Sequence, residues 1–296
     1  MSFSSAAIPA AEAAARALGK PQMLGSHAGE LPGNFPLWTT GGLATDTDVA
    51  AAGYEAWRAF DRSAVERTRP NAAAASIYLV FEIPSGKVFD TIVGLNTFWP
   101  LPPTLTLQIA NDAAFSSALS TILSGYTPTG GRFGVALASR YTSTGGWGRL
   151  RMQFGGATVP EIGELWLGQA RVLQANPQTP HDERGKISDR RTSGAQTAHP
   201  IDVTTYAGRM RLRAQLRGHT AEALDDAATY RAWKLECGAG ARPGLYLRDP
   251  LGAPNGWALL ALDGGVSVPQ VLPSGLAEVD LGGVELPPYL SSEGFD

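Results

Sequence analysis

The sequence predicts a mainly β protein in two parts, and three observations carry that expectation. Charged residues make up only 17% of the chain while 35 glycines and 21 prolines supply turns, a balance that suits short strands better than salt-bridged helices. Short runs of alternating apolar and polar residues recur between Ser76 and Leu167. A polar stretch from Gln174 to His199, with hardly an apolar side chain, then separates those runs from a second set. The 296 residues with 44% hydrophobic content suffice for two cores, at roughly 100 to 200 residues per domain.

Residues 1–70 read as mostly irregular, with a short helix over Ala10–Leu18 and Gly/Pro punctuation from Gly25 to Pro36. Trp38, Tyr54, Trp57 and Phe60 are the core residues expected of this segment, which is a candidate to complete the sandwich that follows. Residues 71–173 are expected to form that antiparallel sandwich. Ile77, Leu79, Phe81 and Ile83 alternate with Tyr78, Val80 and Glu82 up to the turn at Pro84-Ser85-Gly86. Val88–Leu95 is a continuous apolar run, and Leu105, Leu107 and Ile109 alternate with Thr104, Thr106 and Gln108, marking two more strands. A Ser/Thr/Gly-rich loop is expected next, then strands at Trp147–Phe154 and Ile162–Leu167.

Residues 174–199 read as a linker or arm, and residues 200–296 as a small β-rich unit with one helix. Arg209, Arg211, Arg213 and Arg217 alternate with Met210, Leu212, Ala214 and Leu216, giving a strand with one charged face that is either solvated or an interface. A helix over 221–236 follows the N-cap candidate Thr220, and ends before Gly238. Gly244–Leu247, Trp257–Leu262, Val266–Val271 and Leu276–Leu281 are expected as short strands.

Several function classes are disfavoured at once. A net charge of -3 without a basic stripe gives no reason to expect nucleic acid or an anionic membrane. Glu12 and Arg16 break the Ala-rich start, so it reads neither as a secretory signal nor as a span, and synthesis in the cytoplasm is expected. Cys237 is the single cysteine and reads as a reduced thiol at the end of the helix. No GxSxG, HExxH, P-loop, GxGxxG or EF-hand pattern is present, so no enzyme, cofactor or metal is expected. His27, His181, His199 and His219 read as solvated surface residues. Glu161 and Glu164, three apart on a strand, point to opposite faces and make a poor acid/base pair. Asn111-Asp112 reads as a turn and Asp225-Asp226 as an exposed helix face.

Seven tryptophans remain. Large aromatics are usually buried, so core packing or subunit contact is the first reading. The alternative is stacking on a sugar, for which Trp99, in the loop Thr97–Pro103, and Trp147, beside Gly145-Gly146, are the candidates.

The run from Ile77 to Thr97, Ile-Tyr-Leu-Val-Phe-Glu-Ile-Pro-Ser-Gly-Lys-Val-Phe-Asp-Thr-Ile-Val-Gly-Leu-Asn-Thr, resembles the early strands of discoidin-like, galactose-binding-type sandwiches. Leu105–Phe115 resembles the next strand and loop, and Arg149–Phe154 with Glu161-Ile-Gly-Glu-Leu-Trp-Leu-Gly168 resembles the closing strands. This last motif, with Arg191–Gly194, the basic strand, the helix and Ala241–Pro250 after it, is similar to minor tail proteins of siphophages and gene transfer agents. The resemblance covers about residues 75–290. It implies a distal-tail-like or tail-tube-like second β-domain and a non-catalytic subunit of a phage tail tip. Such a subunit would assemble on itself as a trimeric or hexameric ring in the virion, beside other tail proteins. The alternative it leaves open is an adhesin module contacting a host surface glycan.

Overall fold

A computed structural model describes residues 3–29, 36–63, 66–174, 188–191, 201–204, 211–238, 241–262, 270–271 and 276–286. The N-terminal segment carries β1 (Phe3–Ala6), α1 (Ala10–Ala17), β2 (Gln22–Leu24), β3 (Leu37–Thr39) and a single 3-10 turn at Ala56–Phe60. Next come β4 (Ala74–Ile83), β5 (Val88–Leu95), β6 (Thr104–Ala110), β7 (Ser120–Tyr126), β8 (Phe133–Ser143), β9 (Gly146–Thr158), β10 (Glu164–Gly168) and β11 (Ala170–Val172). The remainder holds β12 (Ser188–Arg191), β13 (Ile201–Thr204), β14 (Arg211–His219), α2 (Thr220–Glu236), β15 (Gly244–Leu247), β16 (Ala258–Leu262), β17 (Gln270–Val271) and β18 (Leu276–Glu285). The protein is mainly β, and every strand pairing among the described residues is antiparallel.

Two sheets form a sandwich. One runs β1-β8-β5-β10 and the other β3-β4-β9-β6-β7. The alternating residues of β4 behave as their pattern predicts: Ile77, Leu79, Phe81 and Ile83 point into the core with Leu105, Leu107, Leu150 and Met152. The continuous apolar run of β5 has a different cause, because this strand is covered on both faces. Phe89 and Ile92 enter the sandwich core, while Val93 and Leu95 face the other way. β10 does the same, with Leu165 and Leu167 on one side and Trp166 on the other.

The outward face of β5 and β10 meets a third sheet, ordered β11-β2-β15-β16-β18-β14 with β17 on β18. Leu24, Leu245, Leu247, Trp257 and Leu259 close this second core against Val93, Leu95 and Trp166. On the far side of the third sheet, Tyr230 and Trp233 of α2, with Cys237 just after it, pack on Met23, Tyr246 and Leu260. The order of layers is therefore five-stranded sheet, four-stranded sheet, third sheet, helix.

Four expectations are refined or corrected. Most described residues of 1–70 lie outside regular elements, yet β1, β2 and β3 each enter a different sheet, β1 and β3 those of the sandwich. These strands are three or four residues long and take their partners from distant sequence, so they leave no local pattern. Trp57 is 42% exposed, whereas Trp38 and Phe60 are buried. The stretch between β6 and β9 holds β7 and β8, not only loop. Inside the expected linker, Ser188–Arg191 pairs with Ile201–Thr204, since ladder hydrogen bonds need no apolar side chains. Residues 175–187 and 192–200, with His181 and His199, lie outside the described residues.

Candidate functional site

At one end of the sandwich four chain segments are stitched together by three isolated bridges, Thr68 to Ile162, Phe98 to Glu161 and Ala50 to Pro70. The strand-like segment at Phe98 sends neighbouring side chains to opposite sides. Phe98 consequently stands 46% exposed, while Trp99 is half-buried against the sandwich core with its indole nitrogen shielded. Arg67 frames the Phe98 ring, with its guanidinium carbon 5.9 Å from the ring centroid. Its Nη1 donates to Glu161 Oε2 at 2.9 Å, and its Nε and Nη2 donate to Asn96 Oδ1 at 3.2 and 2.8 Å. Asn96 holds a left-handed backbone conformation (φ 50°), which asparagine tolerates better than most residues.

Arg69 completes the group. It lies 3.5 Å from Glu161 Oε1, stacks 4.1 Å from the Tyr54 ring centroid, and is 39% exposed. An exposed ring beside oriented guanidinium, carboxylate and amide groups can stack on an apolar ligand face while bonding its hydroxyls. Glu161 was legible in the sequence only as a doubtful acid. Arg67, Arg69, Asn96 and Phe98 carry no local signal, because their proximity depends on bridges between residues far apart in sequence.

Trp147 lies at the opposite end of β6 and β9, where it pairs in register with Ala110, while Thr104 at the Phe98 end pairs with Gln153. The two tryptophans therefore belong to separate surfaces. The Trp147 ring is half-buried in a small outer core with Val80, Ala110 and Phe115, roofed by the segments around Ala44 and Asp112. Asp112 is a loop organiser. Its carboxylate accepts from the Ser117 hydroxyl and from the backbone N–H groups of Ala114, Ser116 and Ser117, which holds it below the usual carboxylate range.

His27 is not a surface residue. It is fully buried, stacked 4.8 Å from the Trp166 ring, with Nε2 3.3 Å from Glu164 Oε1, itself fully buried. Burial pushes Glu164 well above and His27 well below their ordinary values, so both sit neutral. Asp61, nearby at the surface end of this cluster, is pushed up to about 6 by partial desolvation. Beside them Arg62 is buried over Trp166 and donates to Gly25 O and Pro243 O, tying the first part of the chain to the third sheet. The sequence offered no sign of this cluster, since His27 sits among glycines and small residues.

Asp226 is also buried, not exposed, and its Oδ1 accepts from the N–H of Gln174 at 2.7 Å. The Cys237 thiol is buried and pushed up to about 12. Arg211, Arg213 and Arg217 stand at alternate positions of β14, the last strand in the third sheet's order, opposite Val284, Gly282 and Glu278. Arg209 lies outside the described residues. Among the described residues no group of His, Cys, Asp or Glu could hold a metal, and no helix is long and apolar enough to cross a membrane.

No protein-family model and no curated protein matches the chain. Among solved structures, chitosan-binding module 1 of a chitosanase/glucanase from Paenibacillus sp. IK-5 is similar to 45% of this chain over 93% of its own, at 20% identity and TM-score 0.35. CpGH89CBM32-6 of Clostridium perfringens is similar to 43% of this chain over 98% of its own, at 12% identity and TM-score 0.32. At these TM-scores the sandwich stands on its own strand pairing.

Proposed function

We propose that this chain is a non-catalytic glycan-binding protein whose sandwich presents the Phe98 end to a cell-surface saccharide. The observation that carries the reading is the exposed Phe98 ring held in a frame of Arg67, Arg69, Asn96 and Glu161. Phe98 would stack on a sugar ring, and the exposed edge of Arg69 and the Glu161 carboxylate would bond its hydroxyls. A glycan array with the full chain tests this. Phe98→Ala is expected to lose binding to the neutral glycans retained by the wild type, with an unchanged melting temperature because the ring is exposed. Full retention of binding by Phe98→Ala would overturn the proposal.

A second reading makes the chain a structural subunit of a bacteriophage tail tip, carried in the virion and bound to copies of itself and to other tail proteins. It is supported by the resemblance over Glu161–Gly168 and beyond the linker, and by β14, whose end position suits lateral pairing. Light scattering across a concentration series should then give a trimer or hexamer. A monomer that also fails to join isolated tails would sink this reading.

A further inference from the structure

Among the described residues, the outer face of the five-stranded sheet carries two cations with no carboxylate within ion-pair distance. On β9, Arg149 and Arg151 both point outward, opposite Val80 and Tyr78 of β4 and Gln108 and Thr106 of β6. Arg16, Arg58, Arg67, Arg69, Arg140 and Arg171 each lie within ion-pair distance of a carboxylate. Arg149 and Arg151 have no such partner among the described residues. Arg149 donates to Gln108 Oε1 at 2.9 Å and to Gly42 O at 2.8 Å, and Arg151 donates to Ser76 Oγ at 3.2 Å. The one acidic position on β4, β6 or β9, Glu82, stands beyond them, opposite Trp147.

This face has a step in it. Near Trp147 it is covered by the segments joined through the Ala44 N–H to Ala113 O bond, and the Gly42 backbone lies directly over the Tyr78 ring. Arg149 is wedged into the step, 4.4 Å from the Phe115 centroid and 5.6 Å from that of Tyr78. Below it the sheet is open: Thr104 and Gln153 are exposed, and Ser76, Thr106 and Arg151 are half-exposed. Desolvation, partly offset by Tyr78 and aided by the neighbouring charge of Arg151, holds Arg149 below the ordinary arginine value.

We propose that this step is a second binding surface, separate from the Phe98 end, for an acidic oligosaccharide whose uronate carboxylate sits on Arg151 beside Arg149. The exposed Thr104 and Gln153 and the half-exposed Thr106 and Ser76 side chains supply bonding partners for the sugar hydroxyls on either side. A polyphosphate is the poorer match, since two cations on a chain of net charge -3 neutralise few phosphates. The inference does not depend on the Phe98 reading.

Titration calorimetry of the full chain with tetragalacturonate, and with its carboxyl-reduced neutral counterpart, tests it. The anionic form binds and the neutral form does not, and salt weakens the binding because Arg151 lies on the open part of the sheet. Arg151→Gln lowers affinity by about tenfold or more, the loss of one charge-assisted fork, and keeps the wild-type melting temperature. Phe98→Ala leaves uronate binding unchanged. Equal binding of the neutral oligosaccharide, wild-type affinity in Arg151→Gln, or loss of binding in Phe98→Ala would each overturn the proposal. Arg151-dependent capture of single-stranded DNA without any uronate binding would overturn it in favour of a nucleic-acid ligand.

Discussion

Glu164 and His27 lie side by side in the interior, both fully buried, and burial moves their ionisation in opposite senses. For Glu164 the folded value is raised, so its stabilising contribution is full below the unfolded carboxylate value and is lost as pH rises through the folded one. Asp61 follows the same sign, its contribution fading between the ordinary aspartate value of 3.8 and about 6. His27 runs the other way, because the unfolded imidazole takes up a proton that the folded one refuses, so its contribution disappears as pH falls below its ordinary value of 6.5. Glu164→Gln keeps the side-chain volume and removes the charge. The variant should be more thermostable than wild type at pH 8 and about equal to it at pH 4, as read by thermal melts at the two values. Equal gains at both would show that Glu164 is not held as a neutral acid. At this scale the sequence was least informative: nothing around His27 distinguishes a buried imidazole from a surface one, and Phe98 and Trp99 are equivalent until a bridge to Glu161 orients them.

Among elements, α1 depends on a network that its own composition does not advertise. Its Glu12 and Arg16 reach Arg140 of β8 and the fully buried Asp90 of β5. Asp90 Oδ1 also accepts from the N–H of Ala170 at 2.9 Å, which fixes the start of β11. Asp90→Ala leaves Arg16 and Arg140 without that partner, and should cost about 3 to 5 kcal/mol in urea unfolding. A loss under about 1 kcal/mol would mean that the arginines re-pair with Glu12 alone. The strands of strict alternation, β4 and β6, were legible because each buries one face. β15 and β16 were legible as apolar runs between Gly/Pro turns. β7 and β8 were not, because their inward positions are sparse: Ile122 alone is buried on β7, and β8 mixes Gly, Ala and Ser among Phe133 and Leu137.

The whole molecule is fastened through its middle. β8 approaches so near that a Cβ on Gly134 would overlap the Trp257 indole, and Arg132 donates to the Trp257 carbonyl at 3.0 Å. With Trp166, Leu24 and Leu245 in the same core, the sandwich and third sheet should unfold in one calorimetric transition. Trp257→Ala should lower that single transition by about 3 to 5 kcal/mol. Two separated transitions in the wild type would show that the cores are independent. β2 gives this architecture a cost in time. Leu24 takes its place beside Leu245, which the ribosome adds more than two hundred residues later. At about 5 to 20 residues per second, that strand waits on the order of ten seconds or longer for its neighbour. During that interval Met23 and Leu24, both fully buried at the end, have one side open. The nascent chain is therefore most prone to misassociation before β15 emerges, and a chaperone that holds the N-terminal segment would raise yield more than one acting after release.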